Sequence, residues 1–182
     1  MTAFPLHSSE TAPEGSKPIL AATQKKLGFV PNLIRVMAEA PAAAEAYTTV
    51  MGIFESSSLS DAEKQTVLLS ASFVNKCAYC VAAHTLIAGM KSVPADIIEA
   101  LRAGTTLPDP RLDALAVLTR SVVETRGWPT EAAKEAFFAV GYGTREYLEV
   151  IVGVTVKTLS NYVNHAADTP LDTTFETAKW AA

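Results

Sequence analysis

The residues in this chain best suited to chemistry lie in one run: Asn75, Lys76, Cys77, Ala78, Tyr79, Cys80, Val81, Ala82, Ala83 and His84. On a helix Cys77 and Cys80 are i and i+3, Cys80 and His84 are i and i+4, and Cys77 and His84 are seven apart, so all three share one face. That pattern suits thiol redox chemistry. A thiolate is the nucleophile, a neighbouring imidazole can take its proton or stabilise its charge, and a second thiol one turn away can resolve a sulfenic acid into a disulfide. These are the only two cysteines in 182 residues. A chain of this length buries a core without covalent staples, and structural disulfides usually close longer loops, so the pair reads as chemical rather than architectural. Local physics leaves open which sulfur attacks: a helix N-terminus favours a thiolate at Cys77, whereas His84 stands nearest Cys80.

Three other uses of the same residues compete. Both cysteines and the histidine could be small or hydrogen-bonded core groups. Cys77, Cys80 and His84 could hold zinc, with His165 or a water as fourth ligand, although structural sites usually carry a second knuckle that this sequence lacks. A thioredoxin-type domain would need strands around the motif, and the flanking sequence is helical. The glycines fall mainly at helix ends and no glycine-rich phosphate loop occurs, so no flavin, haem or nucleotide cofactor is expected, and with the second knuckle missing no metal is expected either.

The elements that must position these residues read as nearly all α-helix, with no place for a sheet. A first helix is expected from about Lys17 to Leu27, ended by Gly28, and Pro31 and Pro41 each restart the chain. A helix over Ala42 to Phe54 leads to a polar connection at Ser56, Ser57 and Ser58. Ser60, Asp61, Ala62 and Glu63 match a capping box, so the next helix should start at Ser60 and carry an apolar stripe of Val67, Leu68, Ala71 and Val74. Asn75 and Lys76 then break the chain before the cysteine helix, which should run to about Met90. Further helices are expected from Pro94 to Gly104, through Leu112, Leu115, Val117, Leu118 and Val122 to Gly127, from Thr130 to Val140, and from Thr144 to Ala166. On the last of these Val150, Val154 and Leu159 could serve the core or a subunit contact equally well. An extended tail from Thr169 to Trp180 carries Leu171, Phe175 and Trp180, too apolar to stay in water without a partner.

Fifteen basic against nineteen acidic residues give a net charge of −4, with no basic run, which argues against nucleic acid or an anionic membrane as partner. The opening Met1, Thr2, Ala3, Phe4, Pro5, Leu6, His7 has neither the basic start nor the apolar run of a signal peptide, and no later segment has the apolar length of a membrane span. The expected compartment is a reducing cytoplasm, where an adjacent pair can cycle between dithiol and disulfide.

Leu59-Ser60, Glu63, Asn75, Cys77, Tyr79-Cys80 and His84 resemble the core motif of the alkylhydroperoxidase-D-like (carboxymuconolactone decarboxylase) family, particularly its peroxidase-related branch. The match is specific over about residues 59 to 90. It extends more loosely to Gly28-Phe29-Val30-Pro31-Asn32 and to Asn161-Tyr162-Val163-Asn164-His165. The resemblance implies a single AhpD-like helical domain over residues 1–182, with an N-terminal helical arm over about 1–58 and a C-terminal tail over about 167–182. It further implies a homo-oligomer, a hydroperoxide substrate and a dithiol reductant, protein or small molecule. Carried over, Cys80 attacks, Cys77 resolves and His84 belongs to a proton relay that begins at a glutamate twelve residues before the first cysteine. In this chain that position is Gln65, which cannot accept or deliver a proton at neutral pH. Glu63 lies half a turn away and reads as the capping-box acid instead. Tyr79 replaces a histidine found in some members and, with Gln65, is expected to line the site. The alternatives to a peroxidase are a non-enzymatic redox sensor or oligomeric scaffold, which Gln65 supports, and lactone decarboxylation, which needs an acid and a base rather than two thiols.

Overall fold

Residues 4–181 are described in a computed structural model. Met1, Thr2 and Ala3, on which the reading of the N-terminus begins, and Ala182 lie outside the described residues. Nine α-helices and two short 3-10 turns make up the regular structure, and no strand occurs among the described residues. They are α1 (Lys17–Leu27), α2 (Asn32–Met37), α3 (Pro41–Glu55), α4 (Asp61–Val74), α5 (Ala78–Met90), α6 (Ala95–Ala103), α7 (Pro110–Glu124), α8 (Glu131–Ala139) and α9 (Thr144–Ala167).

α4 is the central post, packed against α5, α6, α7 and α9. Its start is set locally. Ser60 Oγ accepts from the Glu63 amide at 3.3 Å, and Glu63 Oε2 accepts from the Ser60 amide at 2.7 Å, so the capping box is complete. Glu63 Oε1 then ties this helix end to α7 and to the start of α9, accepting from Arg111 Nε at 3.2 Å and Tyr142 Oη at 2.8 Å. Every residue from Lys64 to Ser72 is buried, which is broader than the expected stripe. Neighbours on all sides leave no solvent face, so Gln65, Thr66, Ser70 and Ser72 also go inside, while Val74 at the helix end is only half-buried. Most of these polar groups bond locally: Thr66 and Ser72 hydroxyls donate to carbonyls one turn back, and Lys64 Nζ donates to the Glu55 carbonyl at 2.7 Å.

Between α4 and α5 the chain reverses at Asn75 and Lys76. The Cys77 amide donates to the Ser72 carbonyl at 3.0 Å and the Lys76 amide to the Phe73 carbonyl at 2.9 Å, the paired bonds of a Schellman ending, with Lys76 left-handed at φ 55°. This turn seats Cys77 as the residue capping α5.

The core is layered around α4. One cluster joins Phe54, Val67, Leu68, Leu115, Phe137 and Val150; another joins Leu69, Val81, Ile97, Leu101 and Ala116; a third surrounds the cysteines. Tail residues Thr173–Ala178 form a 3-10 turn rather than an extended segment, because their apolar side chains fold back on their own chain. Phe175 packs edge-on against Tyr79 and Phe29, and Trp180 against Phe73. Arg102 holds the tail by donating to the Ala178 and Lys179 carbonyls at 2.9 and 3.0 Å.

α9 approaches α4 closely at Gly153, where a Cβ would fall 2.6 Å from Val67 Cγ1 and 2.7 Å from Phe54 Cε2. Gly153→Ala is therefore expected to lower unfolding stability by about 1–3 kcal/mol, since neither neighbour is a free side-chain end. Urea denaturation checks this: the midpoint should fall with the slope unchanged.

Candidate functional site

The cysteine-bearing end of α5 is enclosed by α4, α9, α3 and the tail, leaving Cys77 1% and Cys80 2% exposed. Both are free thiols. The α9 residues that reach this space are Lys157, Ser160, Asn161 and Asn164, at i, i+3, i+4 and i+7, all buried. Asn164 Nδ2 bridges the two sulfurs, donating to Cys80 Sγ at 3.2 Å and more weakly to Cys77 Sγ at 3.7 Å. Ser160 Oγ stands 4.0 Å from Cys80 Sγ. Asn161 is held from the far side, its Oδ1 accepting from Asn75 Nδ2 at 2.9 Å.

The two thiols are polarised in opposite directions. Burial works against a Cys80 thiolate, but the Cys77 thiol, the Lys157 charge and the Asn161 side-chain amide together hold its pKa well below the usual thiol range. Cys77 is pushed up, first because its S–H donates to Cys80 and then by burial, and the Lys157 charge and the Cys80 backbone amide only partly oppose this. The favourable helix N-terminus at Cys77 is thus real but outweighed. Tyr47 on α3 is pushed up by burial and then by the negative charge of the cysteine pair, chiefly that of Cys80.

Of the sequence-predicted residues, Cys77 and Cys80 come together directly. His84 and Gln65 meet each other: His84 Nδ1 is 3.1 Å from Gln65 Oε1. With the amide oxygen facing the ring, Nδ1 carries the proton and Nε2 keeps its lone pair. No hydrogen bond links His84 to either thiol among the described residues. Tyr79 spends its hydroxyl elsewhere, donating to Asp172 Oδ2 at 2.5 Å and accepting from the Leu33 amide at 3.3 Å, so it pins the tail to α5. Glu63 is committed to the helix start. His165 is exposed on α9, and among the described residues no group of three or more His, Cys, Asp or Glu side chains could hold a metal ion. No helix among the described residues is long and apolar enough to cross a membrane.

The sequence reading missed Lys157, Ser160, Asn164 and Asp172 as site neighbours. A signal existed for the first three: they continue the period of Val150, Gly153 and Val156 with polar types, so a core-facing stripe turns polar at one level. Of the expected α9 stripe, Val150 goes to the core, while Val154 and Leu159 line an open apolar groove of about 760 Å³ with Ile151, Tyr162 and Val163. Leu159 and Val163 also pack on the cysteine cluster, so the groove and the thiols are separated by one layer of side chains.

His84 is held well below the usual histidine range, first by burial and then by the charges of Lys157 and Lys91. Its folded value lies under its unfolded one, so the unfolded chain binds the proton first as the pH falls. The stability this neutral imidazole contributes is complete above about pH 6.5 and is lost progressively below it. Urea melts at pH 7, 6 and 5 should show the parent losing up to about 1.4 kcal/mol per pH unit more than His84→Gln.

Residues 38–137 match the model of the carboxymuconolactone decarboxylase family. No curated protein matches the chain. Among solved structures, an alkylhydroperoxidase AhpD core protein from Ralstonia eutropha, described as an uncharacterized peroxidase-related protein, is similar at a TM-score of 0.82 and 21% identity, over 94% of this chain and 93% of that one. An uncharacterized peroxidase-related protein from Silicibacter sp. gives 0.79 and 21%, over 96% and 92%. The debrominase Bmp8, solved with 2,3,4-tribromopyrrole, gives 0.81 and 16%, over 98% and 95%. These likenesses show an AhpD-like all-helical fold. With the family model spanning more than half of its length, the chain belongs to the carboxymuconolactone decarboxylase family.

Proposed function

We propose that this protein is a thiol-dependent peroxidase-type oxidoreductase in which Cys80 attacks a hydroperoxide and Cys77 resolves the product. The observation that carries the reading is the asymmetric pair held by Asn164, which donates to both sulfurs, with Cys80 acidified and Cys77 pushed the other way. In the forward step the Cys80 sulfur bonds to the terminal peroxide oxygen as the O–O bond breaks, leaving a sulfenic acid and an alkoxide that takes up a proton. Cys77 then displaces the sulfenic oxygen, which leaves as water, and a dithiol reductant returns the disulfide to two thiols. His84 remains near the pair as a neutral acceptor anchored by Gln65.

Lactone decarboxylation, the activity in the family's name, fits less well. It calls for an acid and a base beside the substrate, and the buried imidazole here faces an amide. A redox sensor is favoured by one observation, the near-complete burial of both sulfurs, which would slow turnover while permitting a disulfide to form. The apolar groove along α9 suits a second copy of the chain, in a homo-oligomer, or an apolar substrate approaching from that side.

The test is a free-thiol count on reduced protein before and after one equivalent of an organic hydroperoxide. The parent should lose both thiols; Cys80→Ser should lose none, and Cys77→Ser should stop after one turnover at a trappable sulfenic acid. Repeating the count with 2,3,4-tribromopyrrole asks whether the same thiolate removes bromine. Loss of peroxide by Cys80→Ser would sink the assignment, and a disulfide that changes oligomer size without steady turnover would favour the sensor.

A further inference from the structure

Lys157 is a long cationic side chain only 1% exposed, in the middle of the longest helix. Taking an ammonium out of water costs several kcal/mol unless an anion or several polar groups compensate. No carboxylate lies within ion-pair reach of Lys157 among the described residues: the ion pairs there involve His7, Lys17, Lys91, Arg111 and Lys134. Its neighbours on the buried face of α9 are Ser160, Asn161 and Asn164, the residues that surround the cysteine pair. At the position where the family relay would begin stands Gln65, which has no proton to give.

We infer that Lys157 is the charge partner and proton donor of this site, pairing with the Cys80 thiolate at rest and protonating the alkoxide that leaves when Cys80 attacks a hydroperoxide. The inference rests on the thiol-peroxidase reading above for its second half only. The protons and electrons balance without a carboxylate. The Cys80 thiolate forms the S–O bond, the O–O bond breaks, and the departing alkoxide takes one proton from the Lys157 ammonium to become an alcohol. The neutral amine then accepts the Cys77 S–H proton as that sulfur displaces hydroxide from the sulfenic acid, and the hydroxide takes a solvent proton to leave as water. The ammonium is restored and the two sulfurs carry the oxidation. The other titratable groups around Cys80 and Lys157 are Cys77 and Tyr79 beside Cys80, Tyr47 on α3, and His84, which feels the Lys157 charge and, from further off, that of Lys91. Burial favours the neutral forms of His84, Tyr79 and Tyr47, and Cys77 is pushed toward keeping its proton.

Two reagents with different leaving groups separate the two roles. Iodoacetamide loses iodide, which needs no proton, whereas a hydroperoxide loses an alkoxide, which does. In a Cys77→Ser background, so that only Cys80 reacts, alkylation and sulfenic-acid formation are followed from pH 5 to 10 for the parent, Lys157→Met and Lys157→Arg, with circular dichroism to verify folding. Lys157→Gln replaces Lys157→Met if the latter does not fold. The expected result for Lys157→Met is an alkylation profile moved to higher pH, with the rate at pH 7 down about tenfold or more, one pKa unit being a tenfold change in thiolate. At high pH its alkylation should recover while oxidation by tert-butyl hydroperoxide stays about a hundredfold slow, the usual scale for losing a general acid. Lys157→Arg keeps the charge but holds its proton, so it should restore alkylation and not oxidation. An unchanged alkylation profile in Lys157→Met would overturn the pairing, and equal losses with both reagents in every variant would overturn the proton transfer. A parent inert to hydroperoxide whose alkylation still depends on Lys157 would overturn the peroxidase reading and the proton transfer while leaving the ammonium–thiolate pair in place.

Discussion

Lys157 on α9 and Cys80 on α5 are both buried around one space, with no carboxylate within ion-pair reach of the lysine among the described residues, and this constrains the rest of the site. In a low-dielectric interior each charge alone would be strongly disfavoured, and together they attract far more strongly than they would in water. The pair therefore holds only while water stays out and the two helices that carry it keep their separation. α4 and α9 meet closely at Gly153, one turn before Lys157, where Val67 and Phe54 pack directly against the glycine. Asn164, two turns further along the same stripe, meets both sulfurs, so one helix face supplies the charge and the hydrogen bonds.

The tail belongs to the same constraint. Asp172 accepts from the Asn32 amide at 3.1 Å and from Tyr79 Oη, which ties the tail to the start of α2 and to the helix that carries Cys80. Phe175 then closes over Tyr79, in the cluster that also holds Cys77 and Cys80. Dryness around the sulfurs is thus assembled from both ends of the chain, and a tyrosine inside the motif is used for closure rather than for proton transfer.

Much of the frame was legible because it is governed by short-range rules. The capping box at Ser60 and Glu63, the left-handed Gly28 and Gly104 after their helices, and the reversal at Asn75 and Lys76 all follow from interactions within a few residues. The cysteine pair was equally legible from its spacing. What the sequence could not display was depth. Lys157, Ser160 and Asn164 continue the stripe of Val150, Gly153 and Val156, but the spacing alone does not say what that stripe meets, and the tail reads as extended because its partners, Tyr79, Phe73 and Arg102, are about 75 or more residues away. The shared face of Cys77, Cys80 and His84 was also read too simply. Cys77 caps the helix rather than lying within it, and the imidazole turns to Gln65 on the neighbouring helix.

Gln65 and Lys157 make sense as a set. A carboxylate at position 65 would place a negative charge in the same buried region as the Cys80 thiolate, where like charges raise each other's pKa. It would also compete for the lysine's charge, so a site that keeps its proton on an ammonium has reason to be neutral at 65. The amide still performs one task of an acid, since its oxygen fixes the orientation and tautomer of His84. The cost is an unpaired Gln65 Nε2, and Asn164 Oδ1 is likewise without a partner. Unspent donors and acceptors around one sulfur are poorly suited to a sealed apolar core, where each would cost about 1–3 kcal/mol. Under the peroxidase reading proposed above, they are groups that would meet an incoming hydroperoxide.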